Sequence, residues 1–382
     1  MVDAPLPYGR QLIEQDDLDA VASALTSAFL TTGPRVRQFE AALEVRTGAR
    51  HAAVLSSGTA ALHALYAAAG VGRGDVVVTS PMTFAATANA AAYLGARVEF
   101  ADVDPRTGLI DPAAAGALVN ASVRLIVGVD YAGIPADYDA LRSIADDVGA
   151  MLFADAAHSL GARDQGREVG TLADATVLSF HPVKIITTGE GGAVLTSSSS
   201  LQGSVVRFRS HGIERDPARM RRADGPWYHE MQDLGYNYRM TDLQAALGVS
   251  QLRKLDRFLL RRREIAGRYD VDLADSPGLE LPGRRDGTEP AWHLYVVRVA
   301  DKARRRAFFE ALQRQGLAVQ VHYLPVYRHP FYEDLGYRAG LCPVAEDFYA
   351  RAVSLPIFPA MSDRDVDRVV DTVRRTAADI LA

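Results

Sequence analysis

Cysteine occurs once, at Cys342, in a chain of 382 residues. One thiol excludes an intrachain disulfide framework and any metal site built from several cysteines. Long apolar runs are missing too, and none is long enough to span a bilayer. The stretch Met1-Val2-Asp3-Ala4-Pro5 has no basic region followed by an apolar core, so no leader is expected. A cytoplasmic enzyme without a metal or a membrane partner is the default expectation. An excess of positive charge is also absent. The formal net charge is −5 and the pI is near 6.0, which argues against a nucleic-acid partner.

Lysine is scarce in a different way. Lys184, Lys254 and Lys302 are the only three among 42 basic residues. Arginine stays protonated and cannot act as an amine nucleophile, whereas lysine can lose its proton and form a Schiff base. A chain so biased toward arginine uses lysine where arginine cannot serve. Lys254 and Lys302 read as residues of solvated helix faces, as do Arg261-Arg262-Arg263 and Arg304-Arg305-Arg306. Lys184 differs: it lies between an apolar strand and a Gly-rich turn, with no neighbouring charge until Glu190.

The apolar pattern supplies the architecture. Helical stripes cover Asp16 to Leu30 and Val36 to Arg46. From Ala53 to Leu195, short apolar runs (53–55, 76–78, 98–100, 125–129, 151–153, 175–180, 192–195) alternate with helical stretches at 59–69, 83–94 and 138–148. That alternation predicts an α/β fold with a mostly parallel central sheet covered on both faces. Beyond Thr241 a long helical stretch from Asp242 to Tyr269 leads through a Gly- and Pro-rich segment at 276–289. A smaller α+β unit follows, with strands at 293–299 and 318–321 and helices at 302–315 and 363–381. The expected division is a large domain over 1–250, including an N-terminal helical segment, and a small C-terminal domain over 251–382.

Within this frame, Ser56-Ser57-Gly58-Thr59-Ala60 follows a strand and opens a helix, a place where free N–H groups and hydroxyls bind phosphate. By itself such a turn is more often only a helix cap. Asp155 falls at the C-terminal end of a strand, where it can pair with a protonated ring nitrogen or, equally, cap a helix. Phe84 can stack on a ring face or fill a core. Lys184 supplies an amine, and its role needs a depressed pKa, which burial and a nearby cationic group would provide.

In order, these elements are a phosphate cradle, a ring aromatic, an Asp, and Ser179-Phe180-His181-Pro182-Val183-Lys184. Together they resemble the DegT/DnrJ/EryC1/StrS family of pyridoxal-phosphate-dependent sugar aminotransferases. Asp155-Ala156-Ala157-His158 and Gly235-Tyr236-Asn237-Tyr238-Arg239-Met240 extend the likeness over essentially the whole chain. The resemblance implies a fold-type-I transferase, a homodimer with shared active sites, and pyridoxal 5′-phosphate as cofactor, with pyridoxamine 5′-phosphate as its alternate form. It implies a ping-pong reaction through a Schiff base on Lys184, with Lys184 and Asp155 as the catalytic residues. Ser57, Gly58, Thr59 and Ser179 would bind phosphate, Asn237 would reach the phosphate of the partner subunit, His158 would lie near the ring oxygen, and Phe84 would stack.

Ile186-Thr187-Thr188-Gly189-Glu190-Gly191-Gly192 and Val319-Gln320-Val321-His322-Tyr323 are similar to the branch of the pseudaminic-acid type pathway. That branch aminates C4 of UDP-2-acetamido-2,6-dideoxy-β-L-arabino-hexos-4-ulose with L-glutamate as donor. Tyr8 and His322 would contact the sugar nucleotide, although a strand histidine is usually just hydrogen-bonded. Ile185 stands where that branch commonly has proline. Alternatives are a different acceptor, such as a dTDP-4-keto-6-deoxyhexose or a UDP-4-keto-pentose, and a cofactor-binding regulator without turnover. The related 3-dehydratases have histidine in place of Lys184.

Overall fold

The computed structural model describes residues 5–222 and 224–382. Its central sheet has seven strands: β1 (His51–Leu55), β2 (Val76–Thr79), β3 (Arg97–Phe100), β4 (Val123–Val129), β5 (Met151–Asp155), β6 (Ala175–Ser179) and β7 (Gly192–Thr196). Their spatial order is β1-β7-β6-β5-β4-β2-β3. Strands β2 to β6 pair in parallel, and β7 runs antiparallel to both β1 and β6. The short apolar runs of the sequence are these strands, buried on both faces over most of their length as a helix-covered sheet requires; at the edge strand β3, Arg97 is exposed and Glu99 half-buried.

Side chains alternate across the sheet and feed two separate cores. Val77, Leu125 and Val127 face a cluster built with helices α3 (Gly58–Ala68) and α4 (Ala86–Tyr93), which follow α1 (Gln15–Leu25) and α2 (Pro34–Thr47) in the chain. Val76, Val78 and Ile126 face the opposite cluster, which takes Phe39 and Leu43 from helix Pro34–Thr47 and Tyr138 and Leu141 from helix α5 (Tyr138–Val148). A third buried cluster joins Leu6 to residues between Ile265 and Leu381. It includes the antiparallel strands Tyr295–Val299 and Ala352–Leu355 and the amphipathic helix Asp363–Ile380, which opens on a Ser362–Asp365 capping box.

Several sequence expectations are corrected. The stretch from Asp242 to Tyr269 is two helices, α6 (Asp242–Leu252) and α7 (Leu255–Asp272), broken at Arg253-Lys254. Lys254 is not on a solvated face. Its amine lies 2.6 Å from Asp17 and 2.7 Å from Asp16, and only 9% of its side chain is exposed. Arg262 is fully buried and donates to the carbonyls of Trp292 and Ile357; burial pushes its pKa down to about 9, which leaves it charged at neutral pH. The first helix ends at Leu25 rather than Leu30, and α4 starts at Ala86 rather than Thr83. The expected strand at 318–321 reduces to Leu317–Ala318, paired in parallel with Leu6–Pro7. That pairing stitches the N-terminal segment to the third cluster.

Candidate active site

The C-terminal ends of β5 and β6 open into a cavity of about 470 Å3. One wall is the turn from β1 into α3. Ser57 is the N-cap of α3 and accepts from the N–H of Ala60 at 3.1 Å, leaving the N–H groups of Gly58 and Thr59 at the positive end of the helix. Ser179, the last residue of β6, packs so closely here that a Cβ on Gly58 would come within 3.0 Å of its side chain. Gly192, at the start of β7, is tighter still. A Cβ there would lie 2.5 Å from the Ser57 carbonyl oxygen and 2.7 Å from the Gly58 nitrogen. We expect Gly192→Ala to push this turn out of shape and to weaken pyridoxal 5′-phosphate binding about tenfold, read by fluorescence titration.

Asp155 ends β5, 6% exposed, so the expectation that it sits at the C-terminal end of a parallel strand holds. Burial pushes its carboxyl up from the ordinary range, while the Thr87 hydroxyl, the Ala157 N–H and the charge of Lys184 act against that. Lys184 lies on the loop between β6 and β7, its backbone N–H bonded to the carbonyl of His181 at 2.9 Å. Burial pushes its amine down to about 8, and the nearby Asp155 holds it from falling further. The depressed lysine is therefore produced by desolvation; the cation that the sequence reasoning allowed as a second cause is not what lowers it.

The remaining wall comes from the N-terminal segment and the C-terminal third of the chain. His158 Nε2 is 3.2 Å from the Tyr323 hydroxyl, and its ring lies tilted against that of His293 with centroids 4.2 Å apart. His322 bonds through Nδ1 to the Ser354 hydroxyl at 2.8 Å, and its ring sits 5.1 Å from that of Tyr8. Burial holds His158 and His293 well below the usual histidine range and His322 at about 4, so all three are neutral at pH 7. Phe84 stands at the mouth, 63% exposed, with its ring edge-on to Tyr323.

The cavity thus brings together Tyr8, Ser57, Gly58, Thr59, Phe84, Asp155, His158, Ser179, Lys184 and His322. Asn237 is not among its lining residues; it is exposed and bridges to Ser210. Sequence reasoning missed His293, Tyr323 and Thr87. Tyr323 adjoins a histidine already singled out, which is a usable signal, whereas nothing in the sequence marks Thr87. Among the described residues no group of three or more His, Cys, Asp or Glu side chains is placed to hold a metal ion, and no helix is long and apolar enough to cross a membrane.

The residues fit a phosphorylated pyridine aldehyde: a helix N-terminus for the phosphate, a buried carboxylate for the ring nitrogen and a low-pKa amine for the aldehyde. Comparison with known proteins agrees. Residues 11–374 match the family described as DegT/DnrJ/EryC1/StrS aminotransferase family. The chain is 39% identical over 374 residues to the spore coat polysaccharide biosynthesis protein SpsC of Bacillus subtilis, covering 97% of this chain and 96% of that one. It is 38% identical over 372 residues to the UDP-4-amino-4,6-dideoxy-N-acetyl-beta-L-altrosamine transaminase of Campylobacter jejuni, covering 96% of each. The sugar aminotransferase Spr1654 of Streptococcus pneumoniae, described as putative and solved in its PLP form, superposes with a TM-score of 0.93 at 27% identity, over 99% of this chain and 100% of that one.

Proposed function

We propose that this chain, which belongs to the DegT/DnrJ/EryC1/StrS aminotransferase family, moves the amino group of L-glutamate to C4 of a nucleotide-linked 4-keto-6-deoxy sugar. It is a sugar aminotransferase with a fold-type-I architecture. The acceptor we assign is UDP-2-acetamido-2,6-dideoxy-β-L-arabino-hexos-4-ulose. The 38% identity to a transaminase of the altrosamine type over nearly the full length supports it. The observation that carries the reading is one cavity holding the Lys184 amine, the Asp155 carboxylate and the Ser57–Thr59 turn.

Pyridoxal 5′-phosphate, when bound, supplies an aldehyde for amine exchange and a ring that stores an electron pair. This chain's residues do the rest. Gly58 and Thr59 donate backbone N–H groups to the phosphate, with the Ser57 and Ser179 hydroxyls beside them. Asp155 keeps a proton on the ring nitrogen. Lys184, half-neutral near pH 8, would take the proton from the substrate carbon and hold it for return. His158, neutral, hydrogen-bonds the ring oxygen, and Phe84 covers one ring face. Tyr8 and His322 meet the sugar nucleotide. Lys184 is the only lysine, and no arginine lies, among the lining residues, so one chain meets the phosphate dianion largely with neutral donors. The exposed Asn237 completes the cradle of a second copy in a homodimer.

A second acceptor class is favoured by one observation, the equally close likeness to a spore coat polysaccharide protein. The test separates them. Purified protein loaded with pyridoxal 5′-phosphate is treated with L-glutamate until its visible absorbance bleaches. It is then challenged with UDP- and dTDP-linked 4-keto sugars. Restoration by the UDP-acetamido sugar supports the assignment; restoration only by another sugar replaces the acceptor. Absorbance that ignores glutamate refutes the donor.

A further inference from the structure

Asp155 does not stand alone behind the cavity. Thr83, just before α4, and Thr87, in its first turn, are buried, 4% and 0% exposed, with their hydroxyl oxygens 2.7 Å apart. Thr87 Oγ1 lies 2.6 Å from Asp155 Oδ2. A hydroxyl has one proton to give, and an ionised carboxylate only accepts. Thr87 therefore donates to Asp155, and Thr83 must donate to Thr87. The Phe84 carbonyl, at 3.4 Å from Thr87, is a much poorer acceptor than either neighbour. Asp155 Oδ1 takes the Ala157 N–H at 3.2 Å. A proton on Oδ2 would reverse this order, Oδ2 donating to Thr87 and Thr87 to Thr83, and the Thr83 proton would then have no acceptor among the described residues. Only the ionised carboxylate uses both hydroxyl protons of the series.

We infer that Thr87 is a positioning residue: with Thr83 behind it, it fixes Asp155 as an ionised acceptor aimed at a protonated ring nitrogen. This rests on the pyridoxal-phosphate reading above. The titratable groups around Asp155 are Lys184 from the β6–β7 loop, whose charge acts on it, and Asp130 after β4, Tyr66 on α3, Tyr138 on α5 and Tyr323, which Asp155 in turn pushes up. Only Lys184 among them is a base. The hydroxyl series and the one N–H of Ala157 are the hydrogen-bond donors that the chain itself aims at the carboxylate.

The experiment compares pyridoxal 5′-phosphate with its 1-deaza analogue, which has carbon in place of the ring nitrogen and is indifferent to the proton Asp155 would hold. Thr87→Val keeps the side-chain shape and removes the hydroxyl; Thr87→Ser keeps a hydroxyl. Binding to apoprotein is read by fluorescence titration. Thr87→Val is expected to bind pyridoxal 5′-phosphate about tenfold more weakly, to bind the deaza analogue unchanged, and to be rescued by Thr87→Ser. Thr83→Val, one bond further away, is expected to show a smaller loss with the same selectivity, and it serves if Thr87→Val does not fold. Equal losses for both ligands, or no loss for either, overturn the role of Thr87 while leaving the cofactor reading intact. A wild-type apoprotein that binds neither ligand overturns both.

Discussion

Lys184→Ala folds normally and loses turnover by about 10^4-fold or more, because no other amine lies among the residues lining the cavity. Removing a desolvated amine takes away an unfavourable burial, so thermal unfolding is expected to be unchanged or slightly raised. The wild-type amine gives the reaction a pH signature. Capture of an aldehyde needs the neutral amine, and burial sets the Lys184 pKa at about 8 rather than 10.5. At pH 7 the free amine is then roughly three hundredfold more abundant than on an ordinary lysine. The sign follows: the capture rate of added pyridoxal 5′-phosphate by apoprotein rises with pH through 8 and levels above it. Stopped-flow absorbance checks the pH profile, and a steady-state assay checks turnover. A Lys184→Ala variant that retained about a tenth of wild-type activity, or a capture rate that climbed steadily to about pH 10, would remove Lys184 from its assigned role.

The second large effect concerns stability. Lys254 Nζ sits 2.6 Å from Asp17, whose side chain is fully buried, and 3.6 Å from Glu14. Lys254→Met leaves the Asp17 carboxylate held only by the Gln251 amide at 2.8 Å and the Glu14 N–H at 2.9 Å. The expected cost is about 3–5 kcal/mol in urea unfolding, that of leaving a buried charge without its partner. Most of it belongs to Asp17, since Asp16 is more than half exposed and its pairing is screened. The double variant Asp17→Asn, Lys254→Met should recover much of the loss. A single variant within about 1 kcal/mol of wild type would contradict this.

Lys254 also shows where sequence reading stops. The central sheet was legible because its strands are short apolar runs separated by turns, and a sheet covered on both faces leaves no other reading of Val76-Val77-Val78. The lysine of the cavity was legible from its isolation among apolar and glycine residues. Solvation of Lys254 and Arg262 was misread for one reason. A charge on a helix looks the same whether it faces water or another element, and the acidic partners of Lys254 lie far earlier in the chain, at the start of the first helix. The break between α6 and α7 has no glycine or proline to announce it. Ten of the eleven site residues named from motifs line the cavity, Asn237 being the exception, yet Thr87 stayed hidden because a threonine inside a helix reads as a helix residue. Its meaning comes only from a carboxylate 68 positions away.

The reversed direction of β7 has a mechanical consequence. Because β6 and β7 are antiparallel neighbours, the loop that carries Lys184 leaves and rejoins the sheet at the same edge. It is latched there by bonds from the Phe180 N–H to the Gly191 carbonyl at 2.8 Å and from the Thr188 N–H to the Phe180 carbonyl at 3.0 Å. The amine is therefore mounted on a closed loop whose two feet are bolted to the rigid part of the molecule. Tyr8, His293, His322 and Tyr323 belong to other stretches of chain, stitched to one another through Leu6–Pro7 and Ser354. On the proposed reading, a large sugar nucleotide would be accommodated by adjusting that outer wall while the amine keeps its aim. Acceptor choice and amine chemistry are then separately tunable, and swapping wall residues is a way to retarget the enzyme without re-engineering its centre.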